Sequence, residues 1–96
     1  MFIIHLDYYV PLEVIDQHLE EHIAFLEEEF KQGHFLASGR RVPRTGGTIL
    51  SNIPTKAALL EILEKDPFKQ RGMARYQITE FIPSKTCKEL DFLKAT

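Results

Sequence analysis

Leu19-Glu20-Glu21-His22-Ile23-Ala24-Phe25-Leu26 is the stretch from which the rest of the chain can be read. Around it Leu12, Ile15, Leu19, Ile23, Leu26 and Phe30 recur at intervals of three and four, the spacing that one buried face of an α-helix requires. The segment from about Pro11 to Gln32 is therefore expected as a helix. At roughly 100° per residue, His22 falls about 50 to 60° from the middle of that stripe, near its edge, with His18 and Phe25 further round the same side. An edge position admits two readings. The ring can face a cleft and do chemistry, or it can be half-buried with its nitrogens on a backbone carbonyl or water. Spacing alone does not choose between them.

Outward from the helix, Pro11 suits a first helical turn, where a missing N–H costs nothing, and Gly33 suits a stop in the left-handed region. Before it, Phe2 to Tyr9 reads as a strand with Phe2, Ile4 and Leu6 on one face and Ile3, His5 and Asp7 on the other. The first face is core; the second is either solvated or turned toward a pocket. After it, His34 to Arg41 and Thr48 to Ser51 read as a hairpin joined through Val42-Pro43-Arg44-Thr45-Gly46-Gly47. Ala58, Leu59, Ile62 and Leu63 mark a second helix capped by Thr55 and running to about Lys65. Asp66-Pro67-Phe68 then has the form of a short helix start, with Asp as N-cap and Pro at the first helical position. Tyr76, Ile78, Glu80 and Ile82 alternate against Arg75, Gln77, Thr79 and Phe81, giving a fourth strand over Ala74 to Ile82. Ser84 to Thr96 holds enough apolar residues for a short amphipathic helix lying on the body or on a partner.

The order strand, helix, strand, strand, helix, strand predicts an α+β fold, the ferredoxin-like split βαβ sandwich, with an antiparallel four-stranded sheet and two helices on one face. The other face would be bare in a monomer, which points to a homodimer or larger homo-oligomer. With 96 residues, 44% of them hydrophobic and 27% charged, the chain is one domain's worth of an ordinary globular protein, and its small core is a second reason to expect self-association. A net charge of −2 lacks the concentrated basic surface that nucleic acid or anionic membrane would favour, so neither is expected as a partner. Cys87 is the single cysteine, which excludes an intrachain disulfide and a cysteine-based zinc site. With no signal-like or spanning segment, a cytoplasmic location is the expectation.

Taken together, Glu21-His22-Ile23-Ala24-Phe25-Leu26, Phe35-Leu36-Ala37-Ser38-Gly39, Pro43-Arg44-Thr45-Gly46-Gly47 and Asp66-Pro67-Phe68 resemble the YCII-related (YciI-like) proteins, over about 80 residues in matching order. The resemblance implies one YCII-related domain over residues 1–96, a dimeric α+β barrel related to muconolactone isomerase, and an active site built on one histidine and one aspartate. Those fall on His22 and Asp66, with Ser38 and Gly39 beside the same pocket. Two positions depart from the pattern: Leu19 stands where many relatives have arginine, and Arg40 where they have proline.

Imidazole is the side chain most readily used as a general acid or base near neutral pH, and a carboxylate on its far nitrogen fixes the tautomer. His22 and Asp66 would form such a dyad, moving a proton on a small metabolite in an isomerisation or elimination. Ser38 or the Gly39 amide would steady an oxyanion, and Arg40 and His5 are further substrate-contact candidates. Each has a plainer reading: Asp66 as a helix cap, Arg40, Arg41 and Arg44 as solvated charges, and Gly46-Gly47 as loop geometry, since no phosphate-binding pattern follows them. His5, His18, His22 and His34 lack recognised ligand spacing, so no metal or other cofactor is expected. The rival of another class is a non-catalytic dimeric module that binds a metabolite or protein.

Overall fold

The computed structural model describes residues 1–95. Along the chain lie β1 (Phe2–Tyr8), α1 (Leu12–Gln17), α2 (Leu19–Lys31), β2 (Phe35–Arg40), β3 (Gly46–Ser51), α3 (Lys56–Leu63), α4 (Pro67–Gln70), β4 (Ala74–Glu80) and a 3₁₀ segment, Lys88–Leu93. The strands form one antiparallel sheet in the order β2-β3-β1-β4, which is the split βαβ arrangement expected. Phe2, Ile4 and Leu6 of β1 and Ile49 of β3 are buried together with Ile15, Phe25, Leu59, Leu63 and Phe68 from the helices. The core is thus a single layer between helices and one sheet face. Ile3, His5 and Asp7 point the other way and are only half-buried.

Local chemistry accounts for the boundaries. Thr55 caps α3 by accepting a hydrogen bond from the Ala58 N–H at 3.2 Å, and Asp66 caps α4 with Pro67 at its first position. Gly33, at φ 79°, takes the left-handed turn that lets the chain leave α2 for β2. On edge strand β2 the register shifts between Phe35 and Ala37, and beyond this bulge Ser38 lies opposite Ile49 and Arg40 opposite Gly47. Because Cα partners in a ladder share a face, Ser38 and Arg40 are turned toward the helices.

Three expectations are corrected. The first helix is broken: His18, at φ −115° and ψ 8°, ends α1 and begins α2. The apolar stripe is also not the fully buried face of α2, although Ile15 of α1 is in the core and Leu19 and Leu26 pack against it. His22, Phe25 and Glu29 are the buried residues of α2, whereas Ile23 and Phe30 are 43% and 38% exposed. His22 therefore occupies the middle of the buried face rather than its margin. Polar side chains can sit there because each has a hydrogen-bond partner, the buried Asp66 for His22 and the half-exposed His34 for Glu29. Finally, the C-terminal segment is 3₁₀ rather than α-helical and buries none of its residues; Leu90 and Phe92 remain 45% and 65% exposed. Thr96 lies outside the described residues.

Candidate functional site

The residues displaced from the core explain the cavity. Leu19, Ile23 and Leu26 of α2 face Leu6 and Ile49 of the sheet across a pocket of about 370 Å³. This is at the small end of the range typical of ligand sites. Ser38, Gly39 and Arg40 line it from β2, Tyr8, Asp16 and Arg44 from its remaining sides, and His22 from the helix.

His22 donates from Nδ1–H to Asp66 Oδ1 at 2.8 Å, although 44 residues separate them. Asp66 is wholly buried. The same Oδ1 accepts the Phe68 N–H at 3.0 Å, and Oδ2 accepts the Tyr76 hydroxyl in a short hydrogen bond. Capping and partnering His22 are thus compatible duties of one carboxylate. A carboxylate only accepts hydrogen bonds, so it holds the ring proton on Nδ1 and leaves Nε2 of neutral His22 as a base. The ring is fixed a second time by Phe68, stacked on it at a centroid distance of 4.1 Å with an interplanar angle of 6°. Two independent constraints therefore set the orientation of the imidazole.

Tyr76 was not singled out by sequence reasoning. Its signal was its position on the apolar face of β4, because a phenol turned into a core requires a partner for its O–H. Burial, and then the charge and hydrogen bond of Asp66, push its phenol well above the ordinary range, so it stays a donor to Asp66. At the pocket wall, burial raises Tyr8 as well, with the neighbouring Arg44 guanidinium working in the opposite direction.

The arginines separate into different duties. Arg41 donates to the carbonyls of Leu6 and Gly47 and to Asp7, clamping β1 to β3. Arg44 pairs with Asp16 at 2.5 Å, a hydrogen bond that raises the guanidinium's pKa and lowers that of the carboxyl. Arg40 lines the pocket. His5 does not join this constellation. It stands on the opposite sheet face beside Thr48, its Nδ1 3.1 Å from the Thr48 hydroxyl, because it alternates with Ile4 and Leu6 along β1. Among the described residues no group of three or more His, Cys, Asp or Glu side chains is disposed to hold a metal ion. None of the described helices is long and apolar enough to cross a membrane.

A family model for the YCII-related domain matches residues 1–82. The chain belongs to the YCII-related family. Among solved structures, 5-chloro-2-hydroxyhydroquinone dehydrochlorinase from Burkholderia phenoliruptrix, in complex with 2,5-dihydroxybenzoquinone, is similar to this YCII-related protein with a TM-score of 0.70 and 17% identity. The alignment covers 86% of this chain and 95% of the other, and at that identity it shows a shared fold. Among curated protein sequences none matches. The YCII-related match ends close to β4, so the 3₁₀ segment lies beyond it.

Proposed function

We propose that this YCII-related protein is a small-molecule enzyme of the isomerase or lyase type, in which His22 transfers a proton and Asp66 orients it. The observation that carries the reading is the 2.8 Å contact between His22 Nδ1 and a fully buried Asp66 directly behind a pocket that His22 lines. In this reaction Nε2 removes a proton from a carbon activated by a neighbouring carbonyl or ring oxygen. The charge moves onto that oxygen, which the Ser38 hydroxyl or the Gly39 N–H stabilises. His22, now protonated, returns the proton at another carbon in an isomerisation; in an elimination the electron pair returns from the oxygen to the ring, the leaving group departs as its anion, and His22 gives its proton to water. The fold neighbour is a dehydrochlorinase in complex with a quinone, which agrees with elimination from a small ring. Arg40 holds the substrate from β2.

In the same reading, residues 1–96 act as one cytoplasmic domain, and a second copy covers the sheet face carrying Ile3, Leu50 and Thr79. Light scattering at micromolar concentration tests the pairing, which a monomer mass would overturn. For the chemistry, a panel of cyclic ketones and chlorinated hydroquinones is incubated with protein in deuterium oxide, and deuterium incorporation and chloride release are followed. A substrate should be turned over by the wild type and slowed about 10²- to 10⁴-fold by His22→Gln, the usual contribution of a positioned acid or base. Equal rates for the two proteins would refute the role of His22. Saturable binding without turnover would leave a metabolite-binding module instead.

A further inference from the structure

The walls of the pocket are apolar, but its charges do not cancel. All five arginines of the chain, Arg40, Arg41, Arg44, Arg71 and Arg75, fall within the described residues, and four of them have a carboxylate partner: Asp7 for Arg41 and Arg75, Asp16 for Arg44, and Glu21 for Arg71. Among the described residues Arg40 has none. It is the arginine that projects from edge strand β2 on the helix-facing side and lines the cavity. Two residues earlier on the same face, Ser38 also lines the cavity and has no hydrogen-bond partner for its hydroxyl among the described residues. A chain with net charge −2 thus presents, among the described residues, one arginine without a carboxylate partner and one unpartnered hydroxyl in a slot whose aliphatic walls are Leu6, Leu19, Ile23 and Ile49 and whose other charges, Asp16 and Arg44, are paired with each other.

We infer that the pocket takes a small cyclic monocarboxylate, with its carboxylate on the Arg40 guanidinium and its ring between α2 and the sheet. This rests on the proposal that the cavity beside His22 is the ligand site, and it adds the class of molecule. The guanidinium fork matches a carboxylate in two parallel hydrogen bonds. The charge is single because Arg40 is the one arginine without a carboxylate partner among the described residues, and because Asp16, already engaged by Arg44, stands in the same pocket and disfavours a second negative charge. The ring follows from the two apolar layers and from a volume suited to a single-ring molecule. Ser38 lies about 7 Å along the strand from Arg40, two residues at the usual rise, so a polar group on the far part of the ring meets its hydroxyl near His22. The carboxylate is thereby the handle, and the opposite end of the ring is the reacting end.

The test is a titration of the full chain with 4-hydroxybenzoate, 4-hydroxybenzamide and phenyl phosphate, followed by chemical shifts of the α2 and β2 amides. Wild type should bind 4-hydroxybenzoate with a dissociation constant below about 10 mM and the amide at least about tenfold more weakly, the factor expected for a charge-assisted hydrogen bond. Arg40→Gln should weaken the acid about tenfold without changing the amide, and Arg40→Lys should fall between. Lys85→Gln, which removes an exposed charge from the C-terminal segment, should leave both unchanged. An unchanged unfolding midpoint in Arg40→Gln establishes that the loss is local. Overturning results are equal binding of acid and amide, unaltered acid binding in Arg40→Gln, tighter binding of phenyl phosphate than of 4-hydroxybenzoate, or no shift with the acid at about 10 mM. His22→Gln separates this inference from the proposed chemistry: acid binding within about twofold of wild type sustains the carboxylate site even if no turnover is found, and its loss overturns the separation of handle from reacting end.

Discussion

Replacing Asp66 by Asn changes one atom of a side chain that three donors address. Asn caps helices as well as Asp does, so the Phe68 N–H keeps its acceptor and α4 keeps its start. The negative charge is lost. Hydrogen bonds to a charged group contribute about 1.5 to 3 kcal/mol, against about 0.5 to 1.5 kcal/mol for neutral pairs, and the bonds from His22 and Tyr76 both fall to the lower class. Losing about 1 kcal/mol from each, offset in part because a buried charge no longer has to be kept from water, leaves a net destabilisation of about 1 to 2 kcal/mol. For a domain of this size that lowers the melting temperature by about 5 to 15 °C. The ring keeps its tautomer but loses its counter-charge. Because Oδ1 takes both the Phe68 N–H and the His22 Nδ1–H, the amide keeps its oxygen there and turns its NH₂ to the Tyr76 hydroxyl, so Nε2 stays unprotonated. Losing about 1 kcal/mol from the bond that steadies His22 once it has taken a proton slows turnover about five- to tenfold. Nitrogen-15 shifts of the His22 ring report the tautomer directly, and urea unfolding reports the stability. An Asp66→Asn variant with its ring proton moved to Nε2, or one whose stability falls by more than about 4 kcal/mol, would refute the account of Asp66 as one oxygen that holds the Nδ1 proton and caps α4 together.

Tyr76→Phe tests the other side of that carboxylate. The phenol is raised in the folded chain, so its contribution to stability is full below the ordinary value of about 10 and is lost as pH rises beyond it, by at most about 1.4 kcal/mol per pH unit. Denaturation measured at pH 9 and pH 11 should show a smaller loss in Tyr76→Phe than in wild type, and equal losses would contradict the raised value. Phe68→Ala removes a fully buried ring and the plate under His22, so a stability loss of about 3 to 5 kcal/mol and a faster-exchanging His22 ring are expected; calorimetry and ring relaxation measure both. At Gly46 an added Cβ would lie 1.7 Å from the Leu6 carbonyl oxygen and 2.7 Å from Nη2 of Arg41. Gly46→Ala must therefore push β3 off β1, and little folded protein at 37 °C is the expected outcome by circular dichroism.

Short-range geometry was legible from the residues alone. Alternation in Phe2, Ile4 and Leu6 set β1 with the correct face inward, Thr55 and Asp66-Pro67 set helix starts, and the order of elements set a split βαβ sheet, because each depends on neighbours a few positions away. The stripe of Leu19, Ile23 and Leu26 was legible as a stripe but not as to what it faces. Period fixes which residues share a face, and only packing decides whether that face meets the core or a cavity. Here the core side went to His22, Phe25 and Glu29, since Asp66, Phe35 and His34 arrive from elsewhere in the chain to meet them. The pocket side was left to the aliphatics.

The same division holds at the site. The sequence determined that a histidine stands on α2 and that an aspartate opens α4, and the family resemblance named them as a pair. The tertiary structure decided that the two touch, that Tyr76 completes the carboxylate's partners, that Arg41 is spent on the sheet while Arg40 faces the cavity, and that His5 looks away from it. Hydrogen bonds reach only about 3 Å, and residues 44 apart in sequence come within that reach only when the helices that carry them are already seated on one sheet.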